Sequence, residues 1–336
     1  MKIPKIEHLP SGNWFCRLRI NGVSIPVTAP TRVECERLAT LRKAELLAGK
    51  TKVQKTPRET TLKEAMDSYI SARKKTLSPA THRAYKIYAD NRFADYHNKK
   101  LSKINWQKMI DEELTTASEK TVKNAWSLVS SSLKYIEYPV PNVKLAKIVV
   151  PDLNFLQPEE IQPFCNALKN KSYEIPALLA LHGLRMSEIR GLTWSHVDLK
   201  KSMIFVQGAK VRGVDGDVMK RTNKNRDSSR YVPIMIPRLK EVLEAVPTKK
   251  GNVTNIGASN LLDDVKRNCK HAGVTVCTTH DLRRSFASLC FYLGIPTKQI
   301  QEWGGWKDDK TLNAIYIKLS NAMKTESKDK FTAFFS

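Results

Sequence analysis

The sequence predicts a multidomain, mainly α-helical protein with small β elements. Its 336 residues are enough for two or three domains that each bury a core of their own. Two segments that contain proline are predicted to be linkers: 51–58, which is polar and basic, and 141–154, which contains Pro141 and Pro151 with Lys144 and Lys147. They leave three parts: 1–50 should form a small sheet with a helix, 59–140 a helical domain, and 155–320 an α+β domain.

Residues 13–29 predict a β-hairpin. Apolar side chains alternate there with Arg17 and Arg19, and Asn21-Gly22 is a typical two-residue turn. The arginines should therefore occupy the exposed face of the sheet. Such a face could simply be solvated, but the chain carries a formal net charge of +24, which favours insertion of this face into a DNA groove.

A helix is predicted directly after this hairpin. Thr31 and Glu34 have the spacing of a capping box, and Gly49 is a typical helix terminator. The helix should run to about Leu47 and pack against the sheet.

The second part of the chain carries four helix-start signals in about 80 residues. The expected N-cap residues are Thr61, Ser78, Asn105 and Ser118. The last of these helices should reach about Ile136, which makes 59–140 a compact helical domain.

The third part mixes both patterns. Residues 157–160 open a helix, and helical periodicity covers Ile175–Leu192. Met203–Val211 and Tyr231–Ile236 are predicted strands, with an irregular polar segment between them. Helices should then dominate to about Asn321.

The tail, 321–336, is polar apart from three aromatic residues, Phe331, Phe334 and Phe335. Exposed aromatic clusters are uncommon on soluble proteins, so these side chains are expected to be covered.

The charge of the chain favours a polyanionic partner. Lysine and arginine outnumber the acids by 57 to 33, which gives a net charge of +24. The excess is distributed, with 12 basic against 5 acidic residues in 1–60 and 11 against 4 in 61–110. Nucleic acid is therefore the leading candidate partner. A membrane surface is the weaker alternative, because no apolar run approaches the roughly 20 residues that span a bilayer.

The six cysteines are scattered without the spacing of a disulfide framework, which is typical of a reducing compartment. With no visible signal peptide, a cytoplasmic protein is expected. Cys269, His271, Cys277 and His280 could be drawn as a zinc site. Their spacing matches no common structural zinc pattern, so ordinary core or surface thiols are the favoured interpretation and no metal is expected.

Two arginines, a histidine and a tyrosine suggest covalent chemistry on a phosphodiester. Arg185 and Arg283 can each grip non-bridging phosphate oxygens with two N–H groups and stay charged at any working pH. His280 can transfer a proton near neutral pH, and Tyr316 can serve as the nucleophile.

Four motifs carry a resemblance to a known family. Residues 183–188 (Gly-Leu-Arg-Met-Ser-Glu), 280–283 (His-Asp-Leu-Arg), 305–306 (Gly-Trp) and Tyr316 follow one another in that order. Each motif alone is weak, but their joint order and spacing resemble a tyrosine recombinase of the phage and mobile-element integrase type. The resemblance covers essentially all 336 residues.

The resemblance implies a role for each motif residue. Arg185 and Arg283 would clamp the scissile phosphate, His280 would transfer a proton or bind that phosphate, and Tyr316 would attack it. Trp306 stands where many relatives carry histidine. Its indole can donate one hydrogen bond but cannot shuttle a proton, so packing plus one phosphate contact is expected.

Two of these assignments have competitors within the chain. Arg185 could merely pair with Glu188 or cap a helix. Arg190 and Arg284 do not occupy the matching positions, and each is expected to meet backbone phosphate or an acidic neighbour. Among the tyrosines, Tyr292 is the nearest alternative but falls between the motifs.

A lysine completes the implied site. The family places a general acid some nine residues before a Val-Pro pair, and Lys224 has that offset from Pro233. Lys220, Arg221 and Arg226 are nearby competitors. Lys224 would protonate the 5′-oxygen leaving group.

The resemblance also assigns the domains. Residues 1–50 would bind arm-type DNA sites, 59–140 would bind core sites, 155–320 would be catalytic, and the tail 321–336 would be exchanged between protomers of a tetramer. The residues expected to contact DNA are Arg17, Arg19, Lys74, Lys75, Arg83 and Lys86.

The implied function is integration and excision of a phage or conjugative element through a 3′-phosphotyrosine intermediate, without cofactor, ATP or divalent metal. The implied partners are double-stranded DNA at core and arm sites, with an excision factor and a host DNA-bending protein as further candidates. The implied location is the bacterial cytoplasm, at the nucleoid. The alternatives are a chromosome-dimer or plasmid resolvase, a type IB topoisomerase, and a non-catalytic DNA-binding relative.

Overall fold

A computed structural model describes most of the chain. The described residues are 3–10, 12–20, 23–47, 59–149, 152–221, 229–322 and 332. They form two compact units, 1–148 and 149–336. The first unit contains one small sheet and the second contains two. No described helix is long and apolar enough to cross a bilayer.

The first unit begins with an antiparallel three-stranded sheet. Its strands are β1 (Glu7–His8), β2 (Trp14–Ile20) and β3 (Val23–Ala29), in the order β1-β2-β3. Ile20 pairs with Val23, which confirms the predicted hairpin, although the turn residues 21–22 lie outside the described residues.

Helix α1 (Arg32–Leu47) packs on this sheet, as predicted. The backbone N–H of Glu34 donates to the Thr31 hydroxyl, so the predicted N-cap is formed, whereas Gly49 lies outside the described residues. The small core between sheet and helix consists of Cys16, Leu18, Val27, Ala29, Cys35 and Ala39.

The rest of the first unit contains the four helices predicted for 59–140. Its helices are α2 (Leu62–Arg73), α3 (Pro79–Asn91), α4 (Trp106–Leu114) and α5 (Glu119–Tyr135). Each begins one residue after its predicted N-cap, whose side chain accepts a backbone N–H from the first turn. Two short 3₁₀ turns, Ala94–Tyr96 and Leu101–Lys103, connect α3 to α4.

The second unit combines eight described helices with two small sheets. The helices are α6 (Pro158–Leu168), α7 (Glu174–Leu181), α8 (Met186–Gly191), α9 (Pro237–Glu244), α10 (Ala258–Ala272), α11 (Thr279–Tyr292), α12 (Thr297–Gly304) and α13 (Lys310–Ala322). The strands are β4 (Val197–Asp198), β5 (Met203–Val206), β6 (Gly208–Arg212), β7 (Asp217–Arg221) and β8 (Arg230–Pro233). Strands β4, β5 and β8 form one antiparallel sheet, and β6 and β7 form a hairpin. Helix α11 contributes buried residues to two adjoining cores and so occupies the centre of this unit.

One predicted strand is two strands in the structure. Met203–Val211 divides at Gln207: β5 pairs with β8, while β6 pairs with β7, which lies in the segment predicted to be irregular. Strand β7 escaped prediction because it lacks apolar alternation. Val218 and Met219 are adjacent, and each is a little under half exposed, so main-chain pairing with β6 holds the strand in place.

The helical periodicity over Ile175–Leu192 is also interrupted. Helix α7 ends at Leu181 and α8 begins at Met186, because Gly183 adopts a φ of 92°. A Cβ at Gly183 would lie 2.9 Å from the Phe286 ring, so this close approach requires glycine. The apolar pattern continues through the break since its side chains remain buried.

The cluster drawn from sequence as a zinc site is not assembled. Cys269 and Cys277 are buried and their thiols hydrogen-bond to each other, whereas His271 and His280 are exposed. The six cysteines are free thiols. Within the described ranges, no group of three or more histidine, cysteine or acidic residues is placed to hold a metal.

Candidate active site

Arg283 is the buried centre of the site. It lies in the second turn of α11 with only 2% of its surface exposed, and its guanidinium donates to the carbonyl of Gly183. Burial, followed by the charge of Arg185, lowers the pKa of Arg283, but the group stays protonated at neutral pH because its ordinary value is so high. In the described part of the chain, no carboxylate forms an ion pair with it. This is a buried cation whose charge is available to an anion.

Arg185 lies close to Arg283 but remains accessible. It is the residue before α8, and 42% of its side chain is exposed. Its guanidinium donates to Glu188 at 2.7 Å and to the carbonyl of Gly305 at 2.6 Å. The pairing with Glu188 considered from sequence is therefore present, and it orients the guanidinium instead of burying it.

Glu188 and Arg230 form the ion pair that sequence reasoning missed. Arg230 grips both carboxylate oxygens of Glu188, at 3.1 and 2.9 Å, and both side chains are buried. Burial alone would raise the pKa of Glu188, but hydrogen bonds and charge from Arg230, and then the charge of Arg185, lower it to about 2. The partners are 42 residues apart, and no local sequence pattern links them.

A tight turn places Trp306 against the arginines. Gly305 has a φ of 66°, and a Cβ at Gly304 would lie 1.8 Å from the Trp306 ring. The indole face lies over the guanidinium of Arg283, with 4.0 Å between the guanidinium carbon and the ring centre. Trp306 therefore holds Arg283 without a negative charge.

His280 lies in the first turn of α11, three residues before Arg283. His280 is exposed by surface area, but the neighbouring atoms partly desolvate its ring. This desolvation, followed by the charges of Arg284 and Arg283, lowers the pKa of His280. A neutral imidazole at pH 7 can accept a proton.

Tyr316 lies on α13, which packs against α11. The tyrosine is 52% exposed, and its ring packs against the Phe291 ring in a T-shaped arrangement with 5.2 Å between ring centres. In the described ranges its hydroxyl makes no hydrogen bond to Arg185 or Arg283. The structure thus brings Arg185, Arg283 and Trp306 together around the Gly305 turn, whereas Tyr316 is exposed on α13 and its ring contact is with Phe291.

Lys224 lies outside the described residues, in the segment between β7 and β8. Arg190 forms an ion pair with Asp217, and Arg284 forms one with Asp281. Both competing arginines therefore meet acidic neighbours, which is one of the two outcomes predicted for them.

The residues predicted to contact DNA lie in the first unit. Arg17 and Arg19 are exposed on β2, opposite its buried Cys16 and Leu18. The other four occupy the end of α2 and the first turns of α3. Lys74, Lys75 and Lys86 are exposed and Arg83 is half-buried.

This arrangement can stabilise negative charge on a tetrahedral or pentacoordinate anion. Two guanidiniums converge near the Gly305 turn, one buried and one accessible, and a neutral imidazole lies on the same helix as the buried one. Preorganised cations of this kind are most effective where water is partly excluded.

Comparison with known proteins agrees with this chemistry. Residues 154–323 match the family model described as "Phage integrase family". A tyrosine recombinase XerC-like protein of Caldanaerobacter subterraneus subsp. tengcongensis is 28% identical over 267 residues, which cover 65% of this chain and 67% of the relative.

Solved structures share the fold. A Tn1549 transposon integrase in complex with transposon right-end DNA is 15% identical, with a TM-score of 0.62, over 79% of this chain and 99% of that one. A lambda integrase tetramer bound to a Holliday junction is 15% identical, with a TM-score of 0.57, over 91% and 96% respectively. The family model covers half of the chain, and the chain therefore belongs to the phage integrase family and is a tyrosine recombinase, an enzyme that catalyses DNA cleavage and rejoining.

Proposed function

We propose that this tyrosine recombinase is an integrase, which inserts and excises a phage or conjugative element at specific DNA sites. The observation that carries the chemical part of the proposal is the pair Arg185 and Arg283. One guanidinium is buried without a carboxylate partner in the described ranges, and the other is accessible beside it. The pair can bind one phosphodiester and stabilise the charge that develops on it.

In the proposed reaction, the Tyr316 oxygen attacks the scissile phosphorus while the bond to the 5′-oxygen breaks. A 3′-phosphotyrosine forms, and the leaving 5′-oxygen takes a proton from Lys224. The 5′-hydroxyl of the partner strand then attacks the phosphotyrosine and releases Tyr316. Each step exchanges one phosphoester for another, so neither ATP nor a divalent metal is required.

His280 and Trp306 have supporting roles in this proposal. The lowered pKa of His280 keeps its imidazole neutral, so it can accept the Tyr316 proton during attack. Trp306 holds Arg283 through its ring face and can offer its one N–H to the phosphate.

The N-terminal part of the chain supports integration over other recombinase roles. We assign residues 1–50 to arm-type sites, because Arg17 and Arg19 stand exposed on a sheet that packs on a single helix. Residues 59–140 would bind core sites, and 155–320 would catalyse strand exchange. The solved structures of similar fold include a transposon integrase and a lambda integrase, and this similarity supports the proposed role in integration.

The proposed assembly is a tetramer on two core sites. The lambda integrase of similar fold is a tetramer on its junction. The tail 321–336, most of which lies outside the described residues, would pass between protomers. An excision factor and a host DNA-bending protein would act with the tetramer.

Covalent trapping tests the proposal. A library of nicked duplexes is prepared from the DNA that flanks the gene, and purified protein is added in EDTA. Loss of the short fragment beyond the nick prevents rejoining, so an SDS-resistant protein–DNA adduct should accumulate. Sequencing of the trapped DNA would identify the core site.

Two variants make this test specific. Tyr316→Phe should form no adduct, whereas Tyr292→Phe, which alters a similarly exposed tyrosine on α11, should form it at the wild-type rate. An adduct that persists in Tyr316→Phe would exclude Tyr316 as the nucleophile.

A resolvase is the second candidate, favoured by the similarity to the XerC-like relative. Deletion of residues 1–55 separates the two roles. An integrase should keep core-site cleavage and lose integration of a plasmid that carries the arm sites. Undiminished recombination after the deletion would favour a resolvase.

A further inference from the structure

We propose that Arg230 is a positioning residue for Arg185. By holding Glu188 in a two-pronged ion pair, Arg230 keeps that carboxylate from neutralising the guanidinium that binds phosphate. The inference rests on the proposed role of Arg185 in phosphate binding.

The contacts of Glu188 use its full capacity to accept hydrogen bonds. One oxygen accepts from the guanidiniums of Arg185 and Arg230, at 2.7 and 3.1 Å. The other accepts from Arg230 at 2.9 Å and from the backbone N–H of Arg185 at 2.8 Å. A carboxylate offers about four acceptor sites, so Glu188 is saturated and Arg230 fills two of the four.

The balance of charge is the consequence that matters for catalysis. Glu188 alone with Arg185 would make a neutral pair. With Arg230 added, the three groups carry one net positive charge, and the exposed member that can deliver it to a phosphate is Arg185. Arg230 itself is buried and its side chain is only 7% exposed.

A second set of contacts fixes Arg230 to the turn that Arg185 also touches. The Nε of Arg230 donates to the carbonyl of Trp303 at 2.7 Å, and a Cβ at Gly305 would lie 2.8 Å from its guanidinium. The carbonyl of Gly305 accepts from Arg185. Arg230 is also the first residue of β8, directly after the segment that contains Lys224.

A purely structural role is the alternative that the experiment must separate. Removing one partner of a buried ion pair destabilises a protein whether or not the pair serves catalysis. Arg238 provides a matched control, because it binds the buried Glu174 through two nitrogens, at 2.7 and 3.2 Å, and its ion pairs in the described ranges are with Glu174 and Glu241 rather than with a residue of the site.

The first measurement is the rate of adduct formation on the nicked duplex, which acts as a suicide substrate because it loses its short fragment after cleavage. It is made at a temperature at which circular dichroism shows every variant to be folded. Arg230→Met should lower this rate about a hundredfold, comparable to the loss of one transition-state donor. Arg230→Lys retains the charge without the fork and should fall between Arg230→Met and wild type. Arg238→Met should lose stability and retain the wild-type rate.

Combination with Glu188→Gln identifies the route of the effect. If Arg230 acts through Glu188, the double variant Glu188→Gln/Arg230→Met should cleave no more slowly than Glu188→Gln alone. If the double variant were slower than Glu188→Gln by the full factor that Arg230→Met loses alone, the proposal would be overturned. Arg230 would then have a structural role through Trp303 and Gly305.

The second measurement does not depend on cleavage. In protein labelled with ¹³C at the glutamate carboxyls, the Glu188 signal is the one that Glu188→Gln removes. Its titration midpoint should rise by about one pH unit or more in Arg230→Met and stay unchanged in Arg238→Met. An unchanged midpoint in Arg230→Met would overturn the proposal. If the wild type formed no adduct, but the titration midpoint of Glu188 rose in Arg230→Met, the proposed function would be wrong. The inference that Arg230 controls the charge of Glu188 would still hold.

Discussion

The guanidinium carbon of Arg283 lies 4.0 Å from the centre of the Trp306 ring. A cation over an indole face is stabilised by about 0.5–2 kcal/mol, and the ring adds no negative charge. The contact joins the buried centre of α11 to the turn that follows α12. A carboxylate in the place of Trp306 would hold Arg283 more tightly but would compete with the phosphate.

Two substitutions at Trp306 should separate its stacking from its hydrogen bond. Trp306→Phe retains a ring over Arg283 and loses one N–H, so adduct formation should slow by less than about tenfold. Trp306→Ala also loses the stacking and the packing, and should slow the reaction by about fiftyfold or more. The two variants and the wild type are compared by their rates of adduct formation on the suicide duplex. Their melting temperatures serve as a control for folding. Equal losses in both variants would assign the whole effect to the N–H group.

Gly183 should be far less tolerant of alanine than Gly251. Both have positive φ, 92° and 69°, so alanine strains both by roughly 1 kcal/mol. Only Gly183 approaches a ring, and its added Cβ would meet Phe286 at 2.9 Å, whereas Gly251 faces open space. We expect Gly183→Ala to destabilise the protein by a further 1–3 kcal/mol, roughly the cost of overpacking a core. Calorimetric melting of both variants tests the difference, and equal melting temperatures would contradict it.

His182 should make stability fall in mild acid. Burial lowers the pKa of His182 to about 4, from an ordinary value of 6.5. Between pH 6.5 and about pH 4, the His182 side chain is therefore mostly protonated in the unfolded chain but mostly neutral in the folded protein. Stability should decline across that window by as much as about 3 kcal/mol and level off below it.

Urea unfolding between about pH 7.5 and pH 4.5 measures this decline. His182→Gln should be less stable at neutral pH, because the Nε2 of His182 accepts from the backbone N–H of Met235, but its stability should depend less on pH. His271→Gln alters an exposed histidine and should retain the wild-type slope. A wild-type slope in His182→Gln would refute the assignment.

Lys74 and Lys75 should contribute to DNA binding through phosphate contacts. Both are exposed at the end of α2. Each phosphate contact adds about 0.9 to the slope of log affinity against log salt, so the double alanine variant should reduce that slope by about 2. Lys108→Ala is the control, since Lys108 is exposed in the same unit but pairs with Glu112. Fluorescence anisotropy over a salt series gives the slopes, and equal slopes in all three proteins would exclude these contacts.

The sequence by itself determined the features that depend on near neighbours along the chain. Helix starts at Thr61, Ser78, Asn105 and Ser118 were predictable because an N-cap acts within three residues. The hairpin was predictable because strand alternation and its turn are local. The family was predictable because the order and spacing of its motifs can be read directly along the chain.

Only the tertiary structure decided how the site is held together. Glu188 and Arg230 are 42 residues apart, and Arg185 reaches the carbonyl of Gly305 across 120 residues. The break at Gly183 depends on the approach of Phe286 from another helix, and β7 depends on pairing with β6 rather than on its own pattern. Such contacts are set by packing between distant segments, and no local periodicity encodes them. Composition and order identified the chemistry, whereas the fold decided which charges remain available to perform it.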